Sequence, residues 1–171
     1  MQDRVIIILG SASDEEFTKP MCSTLQKLGV EYDLRVSSAH KTPDKLLEMV
    51  KEYESSEDRI VYITVAGKSN ALSGLVDANT RYPVIACPPL DVTFGSMDIY
   101  SSLRTPRGVT PVVILDPENA ALIAAKILAL SNLKIREKVQ RYQQQFKEKI
   151  ELEDLTMRKM KSRIGDTGAF T

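Results

Sequence analysis

The chain carries one histidine, His40, inside the polar run Ser37-Ser38-Ala39-His40-Lys41-Thr42-Pro43. An imidazole takes up and releases a proton near neutral pH, which makes His40 the acid–base candidate. Two further runs have the same small, polar character. Gly10-Ser11-Ala12-Ser13-Asp14 combines a glycine able to turn tightly with two hydroxyls and several backbone N–H groups. At the start of a helix such a run favours an anion. Ala66-Gly67-Lys68-Ser69-Asn70-Ala71-Leu72-Ser73-Gly74 offers backbone donors, a cation, a hydroxyl and an amide, a set that suits a carboxylate or another small anion. Gly67-Lys68-Ser69 matches the end of a nucleotide phosphate-binding loop, but that motif needs a glycine where Tyr62 stands, so the reading fails. Taken singly, each run also has an ordinary explanation: Ser13 or Asp14 as an N-cap, a capping histidine, a tight turn with a solvated Lys68.

The elements that must position these residues are legible as an alternation. Arg4–Leu9, Tyr32–Val36, Ile60–Val65, Val84–Cys87 and Val112–Leu115 are short and rich in Val, Ile or Leu, as strands covered on both faces are. Helices are predicted between them, at roughly Asp14–Leu28, Pro43–Tyr53, Asn70–Ala78 and Pro117–Leu130. Gly29 suits a C-cap and Pro43 a first helical turn, while Pro20 is expected to kink the first helix or delay its start. The predicted fold is α/β: a three-layer α/β/α sandwich with a flavodoxin-like, doubly wound parallel sheet. In such a sheet ligands bind outside the carboxyl ends of the strands, where strand order reverses. The three polar runs follow the first, second and third strands, so the fold would bring them into one crevice.

Residues 1–132 are read as the α/β core, 133–164 as a C-terminal helical extension of the same domain, and 165–171 as a frayed tail. The extension carries Ile135, Val139, Tyr142, Phe146 and Ile150 at intervals of three and four among many charged residues. Its apolar stripe either packs on its own domain or crosses to a neighbouring subunit.

The 171 residues hold 23 Lys plus Arg against 23 Asp plus Glu, so no net charge draws the molecule to nucleic acid or an anionic membrane. The longest uninterrupted run of Val, Ile and Leu, Val5 to Leu9, is far short of the ~20 residues that span a bilayer. No apolar segment follows a basic start, so no signal peptide is expected. Two separated thiols, Cys22 and Cys87, form neither a disulfide framework nor a metal knuckle. Thiols so placed suit a reducing cytosol, and a cytoplasmic location is expected.

Together the three runs closely resemble the ordered motifs of the phosphoribosylaminoimidazole carboxylase family of purine biosynthesis. Pro83-Val84-Ile85-Ala86-Cys87-Pro88-Pro89, Tyr100-Ser101-Ser102-Leu103-Arg104-Thr105-Pro106 and Asn119-Ala120-Ala121 match as well, and the likeness runs from about Arg4 to Asn132. One branch of that family moves a carboxylate within N5-carboxyaminoimidazole ribonucleotide (N5-CAIR). The other carboxylates 5-aminoimidazole ribonucleotide (AIR) at C4 with CO2 to give 4-carboxy-AIR (CAIR). The mutase branch typically has a glycine- and alanine-rich third loop followed by a second histidine, and an arginine where Lys41 stands. With Lys68-Ser69-Asn70 and a single histidine, this chain resembles the direct carboxylase branch, with the mutase as the alternative.

The resemblance implies a proton-transfer role for His40, substrate phosphate at Ser11, Ser13 and Lys41, and ribose at Asp14. It implies Ser38 beside the base, and CO2 or the new carboxylate at Ala66, Gly67, Lys68, Ser69 and Asn70. It implies no cofactor: no metal, biotin or ATP. It also implies a homo-oligomer, octamer or tetramer, with Asp91–Asp98 and Tyr100–Arg107 near a neighbour's site. Two other readings fare poorly. A receiver-type signalling module needs a phosphorylatable Asp ending strand three, where this chain has Thr64-Val65-Ala66-Gly67. A flavodoxin-type electron carrier wants an aromatic platform, and the chain has no tryptophan.

Overall fold

The computed structural model describes residues 1–90 and 92–166, apart from the side chains of Phe94 and of residues 161–166. Asp91 and residues 167–171, parts of the expected 91–98 loop and tail, lie outside the described residues. Five parallel strands, β1 (Asp3–Leu9), β2 (Glu31–Val36), β3 (Arg59–Val65), β4 (Val84–Ala86) and β5 (Val112–Val113), form one sheet in the order β2-β1-β3-β4-β5. This is the flavodoxin-like order, and it reverses direction between β1 and β3.

The central strands are apolar at nearly every position because both faces are covered. Val5, Ile7, Leu9, Val61, Ile63 and Val65 point into one core, beneath α1 (Glu15–Leu28) and α5 (Pro117–Leu128). Ile6, Ile8, Ile60 and Tyr62 point into the other, beneath α2 (Pro43–Glu54) and α3 (Ala71–Asp77). Strands β4 and β5 are shorter than the sequence suggests. Cys87 N–H still donates to the Thr64 carbonyl at 2.9 Å and Ile114 N–H to that of Ala86 at 2.9 Å, so the apolar runs carry the ladder one residue further.

Local signals account for the helix ends. Gly29 adopts φ +66°; its N–H donates to the Gln26 carbonyl and that of Val30 to the Leu25 carbonyl, both at 3.0 Å, closing α1 in a left-handed turn. Asp116 caps α5 through Asn119 N–H at 2.8 Å, ahead of Pro117. Helix α1 starts at Glu15 and is continuous through Pro20, so Pro20 does not delay it. A short helical segment, α4 (Tyr100–Leu103), was not predicted; it follows a turn with Gly95 at φ +58° and Ser96 at +61° and is too short to show a period.

Helix α6 (Leu133–Asp166) runs two residues past the predicted extension. Asn132 caps it through Lys134 N–H at 3.0 Å and also donates to Asp3, tying the extension to the start of β1. Its first turns bury Ile135 and Val139 in the core under α1 and α5. From Phe146 onward the stripe faces outward: Phe146 is 52% exposed and Ile150 63%. The extension therefore packs on its own domain for part of its length only.

Candidate active site

The first loop leaves β1 at Gly10, whose N–H donates to the Val65 carbonyl at 2.8 Å. A Cβ there would lie 3.3 Å from that of Ala66, so the first and third loops approach closely. Ser11 caps the following 3-10 turn, Ala12–Asp14, by accepting from Ser13 N–H at 3.3 Å and Ser13 Oγ at 2.8 Å. Both hydroxyls are exposed at the N-terminal, electropositive end of α1. Asp14 is half-buried beside them, and burial pushes its carboxyl above the ordinary carboxylate range.

The second loop is a closed turn. Ser37 N–H donates to the Leu9 carbonyl at 3.0 Å, anchoring the turn beside β1. Thr42 closes it: its Oγ1 accepts from Ser38 N–H at 3.0 Å and its N–H donates to the Ser38 carbonyl at 2.9 Å. Ser38 Oγ accepts from Lys41 N–H at 3.3 Å. The turn presents His40 and Lys41 at its exposed tip. His40 is exposed and lines the cavity, and no hydrogen bond from its ring to another described residue is seen.

The third loop is built by contacts distant in sequence. A Cβ on Gly67 would lie 2.9 Å from the Pro89 carbonyl oxygen, so only glycine fits there. Lys68 follows in the left-handed region at φ +62°. Its N–H donates to Asp98 Oδ2 at 3.2 Å, and Asn70 N–H donates to Ser101 Oγ at 3.0 Å. Asn70 itself is buried. Its Oδ1 accepts from Ser73 N–H at 3.2 Å, capping α3, and its Nδ2 donates to Ser102 Oγ at 2.8 Å.

The three loops enclose one cavity of about 290 Å³ at the β1/β3 switch point. Ser11, Ser13, Asp14, Ser38, His40, Lys41, Ala66, Gly67, Lys68 and Ser69 all line it. Asn70 does not; its amide lies beneath the loop, so its place is that of a support. Of the amides expected to bind a carboxylate, those of Lys68 and Asn70 are already engaged with Asp98 and Ser101. Those of Gly67 and Ser69 have no partner among the described residues. Gly10 and Ala39, members of the same polar runs, also line it; sequence reading missed Leu72 in the lining, and the supports Asp98, Ser101 and Ser102. Leu72 carries a helical-period signal that reads as core.

The chemistry on offer is thus an anion end at the α1 terminus, an accessible imidazole, and a loop with two open amides and an ammonium. The Cys87 thiol, buried at the end of β4, is pushed up to about 12 by burial and supplies no nucleophile at neutral pH. Among the described residues no helix is long and apolar enough to cross a membrane.

A sequence model of the AIR carboxylase family matches residues 4–149. The chain is 49% identical over 155 residues to a phosphoribosylaminoimidazole carboxylase of Archaeoglobus fulgidus, covering 91% of this chain and 85% of that one. It is 43% identical over 159 residues to the Treponema denticola protein of the same name, covering 93% and 100%. It also matches 31% of a human bifunctional phosphoribosylaminoimidazole carboxylase/phosphoribosylaminoimidazole succinocarboxamide synthetase at 43% identity, using 77% of this chain. The crystal structure of Treponema denticola PurE superposes with a TM-score of 0.89 at 44% identity, covering 91% of this chain and 98% of that one. With this family's pattern extending over most of its length, the chain belongs to the AIR carboxylase family.

Proposed function

We propose that the chain is a phosphoribosylaminoimidazole carboxylase of purine biosynthesis that adds CO2 to C4 of AIR, reversibly and without ATP. The observation that carries this reading is the cavity in which His40 meets the Ser11–Asp14 loop and the Gly67–Ser69 loop. The substrate phosphate sits at Ser11, Ser13 and Lys41, where an ammonium, two hydroxyls and a helix terminus favour a dianion. Asp14 accepts from the ribose hydroxyls. This places the imidazole base beside His40 and Ser38.

The 5-amino group donates electron density into the ring and makes C4 nucleophilic. C4 attacks the CO2 carbon, one C–O π bond becomes a carboxylate lone pair, and C4 turns tetrahedral. His40 then removes the C4 proton, and the C–H electron pair restores the aromatic ring. In the decarboxylation direction the imidazolium returns that proton. CO2 brings little binding energy of its own, so the cavity must confine it and stabilise the charge that develops on its oxygens. The open amides of Gly67 and Ser69, with the Lys68 ammonium, are the groups for this. No step calls for a cofactor.

Lys41 and Lys68-Ser69-Asn70 support the direct carboxylase over the mutase. Residues 1–132 form the catalytic core, and a homo-oligomer in the cytoplasm is the working state. The outward stripe of α6 from Phe146 to Met160 supports association, since so many exposed apolar side chains on one helix favour burial. The test is to supply purified protein with AIR and CO2 in the absence of ATP. Formation of CAIR is expected. Failure there, alongside rapid conversion of N5-CAIR, would establish the mutase instead, and failure with both would refute the reading.

A further inference from the structure

The third loop is held in place by a segment about thirty residues later in the chain. After the left-handed pair Gly95-Ser96, the chain passes beneath the loop and offers it three acceptors. Asp98 Oδ2 takes Lys68 N–H at 3.2 Å, Ser101 Oγ takes Asn70 N–H at 3.0 Å, and Ser102 Oγ takes the Asn70 amide at 2.8 Å. Ser101 Oγ donates in turn to the Asp98 carbonyl at 2.8 Å, coupling two of the supports. The consequence is specific to amide direction. Lys68 is not a glycine yet sits at φ +62°, a conformation that persists only where surroundings enforce it. With its N–H drawn to Asp98, the amides on either side, Gly67 and Ser69, remain open in a loop that lines the cavity.

We propose that Asp98 is a positioning residue for carboxylate recognition: it fixes the left-handed turn at Lys68 so that the Gly67 and Ser69 amides and the Lys68 side chain meet the new carboxylate. This deepens the proposed function and rests on it. Asp98 holds the third loop through Lys68 N–H, whereas the proposed phosphate and ribose groups stand on the first and second. Its loss should therefore separate two affinities that a general structural defect would lower together.

The test is calorimetric titration of wild-type protein, Asp98→Ala and Asp98→Asn with AIR and with CAIR. Losing a hydrogen bond to a charged group changes an equilibrium by on the order of 10- to 100-fold. Asp98→Ala should weaken CAIR binding by about that factor while AIR binding stays within about 2-fold. Asp98→Asn keeps an acceptor oxygen for Lys68 N–H and should restore most of the loss. Should Asp98→Ala not fold, Ser101→Ala removes the coupled support and should show the same split. Equal losses for both ligands, or none for CAIR, would overturn the proposal. A wild-type protein that binds neither nucleotide would overturn the functional reading itself, and this inference with it.

Discussion

Replacing Gly67 by alanine tests the geometry of the third loop, the proposed carboxylate site, with a single methyl group. The added Cβ would lie 2.9 Å from the Pro89 carbonyl oxygen, and the obstacle is backbone that no side-chain rotation relieves. Restoring an ordinary contact requires the loop or the Pro88-Pro89 turn to move by several tenths of an ångström. Overpacking of this kind costs about 1–3 kcal/mol of stability. Displacing a reacting group by 1 Å costs roughly 100-fold in rate, so the smaller shift should cost about 10-fold in kcat. Because the groups proposed to bind phosphate and ribose stand on other loops, KM for AIR should change little. Gly74→Ala is the control. Gly74 lies within α3, where a Cβ would find its nearest neighbour, Val109 Cγ1, at 3.9 Å, and the substitution should raise stability by about 0.5–1 kcal/mol. Urea unfolding and CO2-dependent turnover of the two variants read both effects. A Gly67→Ala protein with unchanged stability and turnover would refute the close-approach argument.

Asn70→Ala removes the α3 cap and leaves Ser102 without its buried donor, so a loss of about 1–3 kcal/mol in urea unfolding is expected. Asp14→Ala should weaken AIR binding by about 10- to 100-fold in a titration, with a smaller effect on turnover at saturation. The third concerns acid. Burial works to raise the Asp3 carboxyl, but hydrogen bonds from Arg59 and Asn132 outweigh it and hold it below the usual carboxylate range. A lowered folded-state value means the stability is present above the unfolded value, near pH 4, and is lost as pH falls through the folded value. Asp3→Asn should thus be less stable than wild type at pH 7, and the difference should begin to shrink near pH 4 and close as pH falls through the lower folded-state value.

The parts of the fold that sequence made legible are those encoded locally. Val5–Leu9 and Ile60–Val65 are apolar on both faces because both faces are covered, and that continuity alone marks central parallel strands. Gly29 and Pro43 mark helix boundaries because each suits one backbone conformation there. The cavity followed once three polar runs were assigned to the ends of adjacent strands, so ten of the eleven expected residues came together. Asn70 did not, because the same amide serves a ligand or a buried hydroxyl equally well, and only the position of Ser102 decides. The Asp98 and Ser101 supports were illegible for the same reason. They act across about thirty residues, through a segment whose consecutive left-handed residues break every periodic signal.

The central claim is that the His40 imidazole exchanges a proton with C4 of the ribonucleotide. The most direct measurement is decarboxylation of CAIR in deuterium oxide, with the C4 position of the released AIR followed by NMR. Wild-type protein should generate AIR bearing solvent deuterium at C4. His40→Asn should bind CAIR with nearly unchanged affinity yet release almost no AIR. A His40→Asn protein that decarboxylates CAIR at the wild-type rate would contradict the account.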